Sequence, residues 1–287
     1  MRGVGRATGA ITIVNALFTG VGCAAAVDLP LDVAVELMPG TPSDARAARS
    51  GRGADLATTF LEEALRAFPG GSGHSARLEI RSTIPAGRGL KSSSALGVAI
   101  IRATAAALGT TVSDLDAARL CARAARLHGA SATGAFDDAM AAAAGGIVLT
   151  DNATDAVLQQ SAFPPDWVVV LDVGEREHRP PREYRDQFAA HATDGELAVA
   201  SARRGDWAEA MDRNSAAVER ALGLEGALRR RSAQRSGAIA SGLSGMGPSF
   251  AAILPRGRLA AFLGAFPITD ERRRVVEFSR AGSRGPG

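Results

Sequence analysis

Alternating and helically spaced apolar runs follow one another along this chain in no regular order, and that order limits the folds open to it. Ile11 and Ile13 alternate, as do Val33, Val35 and Leu37, so both runs predict strands. The segment between them, TGVGCAAAVD, reads as a glycine-containing turn, and the polar residues 39–53 as a loop. Leu56, Phe60, Leu61, Leu65 and Phe68 recur at helical spacing until PGGSG ends the pattern. Leu78, Ile80 and Ile84 alternate with Arg81 and Thr83, a further strand. Helical patterns cover residues 92–108 and 113–128, with Ser113 and Asp116 set as a capping box. FDDAMAAAA suits a helix start with acids in its first turn, and GIVLTD a strand. Residues 152–164 read as a polar connection, followed by the buried strand WVVVLDV. Residues 182–240 read almost wholly as helices, broken near Gly195, Gly205 and Gly223. SGLSGMGPS then forms a loop before the strand FAAIL, a short helix from Arg258 and the strand RVVEF. The tail SRAGSRGPG is expected to be disordered. Strands and helices mixed in this way favour an α+β fold over a doubly wound parallel sheet. The division is expected at the polar connection, giving units 1–155 and 156–287.

A length of 287 residues allows one large domain or two ordinary ones, and a hydrophobic fraction of 46% supplies a core. The net charge of +3 does not mark a nucleic-acid binder. The arginine clusters at 229–231 and 272–274 lack interleaved aromatics for stacking on bases, and read as a solvated helix face and a surface edge. The two cysteines, Cys23 and Cys121, form no Cys-x-x-Cys pair, which argues against a zinc site. GAITIVNALFTG is apolar, but Asn15 and glycines break it and it is too short to span a bilayer. These features predict a soluble, cytoplasmic protein with neither nucleic acid nor membrane as partner.

Three short stretches carry possible chemistry. PAGRGLKSSSA joins a strand to a helix N-terminus, where free backbone N–H groups and the helix dipole favour an anion. Gly87 and Gly89 allow close backbone approach, and the serine hydroxyls can donate to phosphate or ligate Mg²⁺. The stretch also holds Lys91, the only lysine in the chain, a compact point charge. It is neither a Walker A loop nor G-x-G-x-x-G, because Leu90 separates Gly89 from Lys91 and Ser92 stands where a third glycine would be. The same residues would also serve as a plain turn and helix cap. In TGAFDDA, adjacent Asp137 and Asp138 point about 100° apart on a helix, so one of them would face a substrate as a proton acceptor. Both equally suit a helix start. SGMGPS makes a tight turn that could cradle an anion or simply connect two elements.

Together, in this order, the three stretches resemble the GHMP kinases, a superfamily that includes galactokinase, homoserine kinase and mevalonate kinase. The wording GRGLKSSSA, TGAFDDA and GAITIVNALFTGVGCAAAVDL is similar to the archaeal-type shikimate kinases in particular. The resemblance implies a two-domain fold, the first domain like domain 2 of ribosomal protein S5 and the second ferredoxin-like. It implies an ATP-dependent kinase that phosphorylates the 3-hydroxyl of shikimate, with Mg²⁺ as cofactor and a small molecule as partner; the alternatives are a kinase of another small alcohol, such as homoserine or a cyclitol, and a nucleotide-binding regulator without turnover. ATP phosphates would lie over Pro85, Ala86, Gly87, Arg88, Gly89, Leu90, Lys91, Ser92, Ser93, Ser94 and Ala95, with Ser93 reaching Mg²⁺. Ser244, Gly245 and Gly247 would brace the nucleotide. Asp137 would be the catalytic base, and Asn15, Thr133 and Gly134 would meet the acceptor, whose carboxylate needs a cation from one of the many arginines. One departure stands out: several family members carry a Mg²⁺-holding glutamate on the helix before the aspartate, whereas residues 117–136 contain no acid.

Overall fold

The computed structural model describes residues 1–40, 46–47, 52–175 and 181–279. The expected disorder at residues 280–287 and much of the loop at 41–51 fall outside these residues. The first sheet is built on β1 (Arg2–Val14) and β2 (Val21–Pro39). It continues through β3 (Arg46–Ala47), β4 (His74–Ser82), β5 (Ile147–Asp151) and β6 (Ala156–Ser161). Its order is β3-β4-β2-β5-β6, with β1 antiparallel along the other edge of β2. Helices α1 (Arg52–Ala67), α2 (Ser92–Ala107), α3 (Asp114–His128) and α4 (Phe136–Ala144) belong to the same unit. The second sheet contains β7 (Trp167–Asp172), β8 (Ala240–Leu243), β9 (Phe250–Pro255) and β10 (Arg273–Glu277), in the order β10-β7-β9-β8. Between β7 and β8 lie α5 (Arg185–Ala190), α6 (Ala192–Arg203), α7 (Trp207–Ala221) and α8 (Ala227–Arg235), and α9 (Leu259–Ala265) joins β9 to β10. That succession and strand order make the second unit ferredoxin-like.

The long core helix explains the first unit. Helix α2 is apolar nearly all round, so it must be covered on every side. It lies on β1 and β2 and is enclosed by α1, α3 and α4. Ile100, Ile101, Phe60 and Phe136 are fully buried there, each stabilising the fold by about 1.5–3 kcal/mol relative to exposure. The second sheet is apolar on both faces: Val169 and Leu171 join the core of the first unit, while Val168 and Val170 pack with Phe262 and Phe266 of the α9 region. No described helix is long and apolar enough to cross a membrane.

Four readings change. TGVGCAAAVD is strand from Val21 onward, because residues 21–25 pair with β5 on one edge and residues 23–27 pair with β1 on the other; the turn is confined to the residues before it. The supposed connection at 152–164 contains β6, which forms a hairpin with β5. A division at 155/156 would therefore cut that hairpin, and the chain passes between sheets after Ser161. Gly195 does not break a helix but lies within α6, where a Cβ would collide with Phe18; the break comes at His191. The arginine clusters are not simply solvated. Arg229 and Arg272 both pair with the buried Asp172, and Arg229 lies 4.5 Å from the centre of the Phe250 ring. Arg230 bonds to Glu219 and Asp212.

Candidate active site

An open cleft of about 1040 Å³, including its solvent-filled mouth, collects residues from all three stretches. Gly87, Gly89, Lys91, Ser92, Ser93 and Ser94 line one wall. Asp137, Asp138 and Thr133 line another, with Thr12, Asn15, Gly245 and Met246 also facing it. Ser93 is exposed, whereas Ser94 is buried. Leu90 and Ala95 point into the core, and Pro85, Ala86 and Arg88 do not line the cleft.

Both helices that enter the site begin in an unusual way. Lys91 precedes α2 with φ 64° and ψ 29°, and Ala135 precedes α4 with φ 51° and ψ 45°. Neither is glycine, and left-handed backbone costs such residues about 1–2 kcal/mol. Neither supplies a side-chain cap; at α2 this leaves the first N–H groups without a cap from Lys91, whereas in the first turn of α4 the Asp137 N–H is taken by Asn152 Oδ1. The α4 start also presents Asp137 and Asp138 together, and both line the cleft. Lys91 Nζ lies 3.2 Å from Asp138 Oδ1 and so bridges the serine loop to the carboxylates.

Asp137 is held from several sides. Asn152 Nδ2 donates to Asp137 Oδ1 at 2.8 Å, and Asp137 N–H donates to Asn152 Oδ1 at 3.1 Å. The carboxyl occupies the space a side chain at Gly22 would need: a Cβ there would sit 2.5 Å from Asp137 Cγ. Burial, and then the neighbouring Asp138, push the Asp137 pKa up to about 7, against the opposing pull of Lys91 and Asn152. Burial also raises Asp138, with Lys91 opposing it.

The turn at 244–249 braces the loop rather than facing the cleft with its serine. Ser244 is fully buried; its hydroxyl donates to Gly89 O at 2.7 Å and accepts from Thr12 N–H at 3.2 Å. Gly245 N–H donates to Thr12 Oγ1 at 2.8 Å. Gly245 faces the cleft, while Gly247 does not line it. Asn15 lines the cleft and is fixed by Asn214, whose Oδ1 accepts from Asn15 N–H at 2.8 Å. Thr133 lines the cleft, but Gly134 does not; a side chain at Gly134 would collide with the Arg126 guanidinium behind it. Among the described residues, Lys91 is the one cation lining the cleft. Sequence reasoning missed Asn152, Thr12 and Gly22. An Asn following a buried strand reads as turn punctuation, so only its partner reveals its role.

The described residues hold no group of three or more His, Cys, Asp or Glu side chains placed to bind a metal ion. An all-protein cage is therefore not the mode available. The exposed Ser93 hydroxyl, which lines the cleft, fits a mode in which one protein ligand for Mg²⁺ is completed by water and phosphate.

The GHMP kinases N terminal domain family model matches residues 55–146, which span α2 to α4 and the serine loop. A shikimate kinase from Pyrococcus abyssi is 35% identical over 283 residues, covering 96% of this chain and 95% of that protein. One from Halobacterium salinarum is 36% identical over 262 residues, covering 88% of each. The crystal structure of Lactococcus lactis galactokinase complexed with galactose superposes with a TM-score of 0.72 at 12% identity, covering 98% of this chain and 94% of that one. A full-length fold shared at that distance, with a third of all residues shared with the archaeal enzymes, leaves one conclusion: the chain belongs to the GHMP kinases, in the family of the archaeal shikimate kinases.

Proposed function

We propose that the protein transfers the γ-phosphoryl group of ATP to the 3-hydroxyl of shikimate, giving shikimate 3-phosphate and ADP. The observation that carries this reading is the meeting, in one cleft, of a buried carboxylate with a helix N-terminus, a serine run and a lysine. Phosphoryl transfer needs positioning and charge stabilisation more than covalent chemistry, and this wall supplies both. The N–H groups at the start of α2 and the Lys91 ammonium bind phosphate oxygens. Asp137 accepts the proton of the acceptor hydroxyl. Asn15 and Thr133, which also line the cleft, orient the acceptor. Ser93 would hold Mg²⁺, completed by water and phosphate oxygens, and when bound the ion would supply charge neutralisation on the transferring group. The Ser244–Gly89 link keeps the phosphate loop in register with the second unit. No arginine lines the described cleft, so the acceptor carboxylate has Lys91 as its one cation there among these residues. The reading carries with it a cytoplasmic location, where ATP is supplied.

The test is ADP release measured with shikimate, homoserine, mevalonate and pantoate as acceptors. Shikimate is expected to give the highest kcat/KM. Faster turnover of another alcohol would overturn the acceptor while leaving the kinase assignment in place.

A further inference from the structure

The catalytic carboxylate does not stand alone, and what holds it is a side chain from another element. Asn152 follows β5 and is 2% exposed, and its polar atoms are bonded on both sides. Its oxygen accepts from Asp137 N–H at 3.1 Å and from the Thr150 hydroxyl at 2.7 Å. A backbone N–H can only donate, so the atom facing it is the oxygen and the amide orientation is fixed. The Nδ2 group must then face Asp137 Oδ1, 2.8 Å away, with Thr133 Oγ1 at 3.5 Å as its other neighbour. An N–H donor at that position favours the ionised carboxylate and gives nothing to a protonated Oδ1. The side-chain hydrogen bond to the Asp137 carboxyl ends on Oδ1, and the Asp138 backbone N–H is a second donor to that carboxyl.

We propose that Asn152 is the positioning residue of the catalytic carboxylate: its amide occupies Oδ1 and favours the ionised form, leaving Oδ2 to take the proton of the acceptor hydroxyl. This rests on the function proposed above. In that step the acceptor O–H bond breaks as its oxygen bonds to the γ-phosphorus. The bond from that phosphorus to its bridging oxygen breaks with its electrons going to ADP, and the proton ends on Oδ2. The other groups around Asp137 are accounted for. On its own helix, Asp138 opposes ionisation, and Lys91 before α2 favours it. Cys23 of β2 is a buried thiol whose own pKa is raised. On α3, Cys121 is likewise raised, to about 12, and Arg126 is engaged by Asp155. Asp151 at the end of β5 accepts from Ala153 N–H at 2.9 Å. Asn152 is thus the uncharged side chain that favours the ionised form, together with the Asp138 backbone N–H.

Asn152→Asp is the sharpest variant. It keeps an oxygen for Asp137 N–H and for Thr150, but replaces the donor to Asp137 with an acceptor. The acid limb of its kcat profile should move up by about one pH unit or more, with about tenfold lower kcat at pH 7 and nearly unchanged KM for ATP. Thr150→Val, which removes the hydroxyl that helps fix the amide, should move the limb the same way by less, with an unchanged cooperative melt. Carboxyl carbon-13 titration of ligand-free wild type and Thr150→Val, assigned with Asp137→Asn, reads the same shift without any acceptor. A raised midpoint in that titration while the wild type fails to phosphorylate shikimate would reject the acceptor and keep the assignment. Normal wild-type turnover, with both the limb in Asn152→Asp and the midpoint in Thr150→Val unmoved, would overturn it.

Discussion

Asp137 and Asp138 are neighbours in sequence, yet their surroundings give them different work. Asp138 faces the Lys91 ammonium, whereas Asp137 is 4% exposed and faces an amide. A base must be ionised to accept a proton, so turnover should fall as pH drops through the Asp137 pKa of about 7. The same shift has a stability consequence of opposite sense. A carboxyl whose folded pKa is raised binds protons more tightly in the native state, so its ionised form costs stability above pH 7, and that cost fades as pH falls through the folded value. Asp137→Asn should therefore lower kcat by about 10²–10⁴-fold. At pH 8 it should also raise the melting temperature, because the neutral amide removes a buried charge. Asp138→Asn should cost less turnover, since it alters Lys91 rather than the proton acceptor. Equal losses at the two positions, in parallel assays at pH 8, would reverse their roles.

At the scale of elements, the starts of α2 and α4 are where local preference was set aside. Ser113 shows what a sequence-legible start looks like: its hydroxyl accepts from Asp116 N–H and caps α3. The two helices at the cleft have no such cap, and the residue before each lies in left-handed backbone. Non-glycine residues held in that region mark places where surrounding structure overrides local energy. At Lys91 the return is an ammonium set between the serine loop and Asp138. Lys91→Ala should weaken ATP binding and slow transfer, and Lys91→Arg should recover part of the loss, because a planar fork does not reproduce a compact charge. Lys91→Gly should be as inactive as Lys91→Ala yet more stable by about 1 kcal/mol, since glycine tolerates φ 64°. ATP titration and thermal melts on the three variants separate the charge from the backbone.

Across the whole molecule, the phosphate loop is completed by the second unit. Gly89 has φ +80°, and a Cβ there would collide with Ser244 O. The Ser244 hydroxyl is bonded to both Gly89 and Thr12, so one buried side chain ties the loop, β1 and the second sheet's turn together. The apolar core supports the same junction, running continuously from the first sheet into Val169, Leu171 and Ile253 of the second. Gly89→Ala should thus act beyond its own turn. Left-handed strain and the collision together should destabilise the protein by more than about 1 kcal/mol. KM for ATP should rise with little change in the pH of the acid limb. A variant with normal ATP affinity would show that the loop keeps its shape without the 244–249 turn.

The sequence by itself determined the α+β class, the Ser113 cap, the apolar helix over 92–108 and the three stretches that meet in the cleft. These are local signals of period, turn chemistry and residue order, and each is written within a few neighbouring positions. It also put Asp137 and Lys91 in two of those stretches, and both side chains line the cleft. Only the tertiary structure decided that Lys91 pairs with Asp138, that Asn152 holds Asp137 and that Asn214 fixes Asn15. It likewise turned TGVGCAAAVD into a central strand, because pairing on both edges outweighs two glycines, and kept α6 intact through Gly195 by packing Phe18 against it. Each of these depends on a partner far along the chain, and hydrogen-bond satisfaction in a buried site is a property of the pair. A residue's own preference carries no record of which distant group will come to face it.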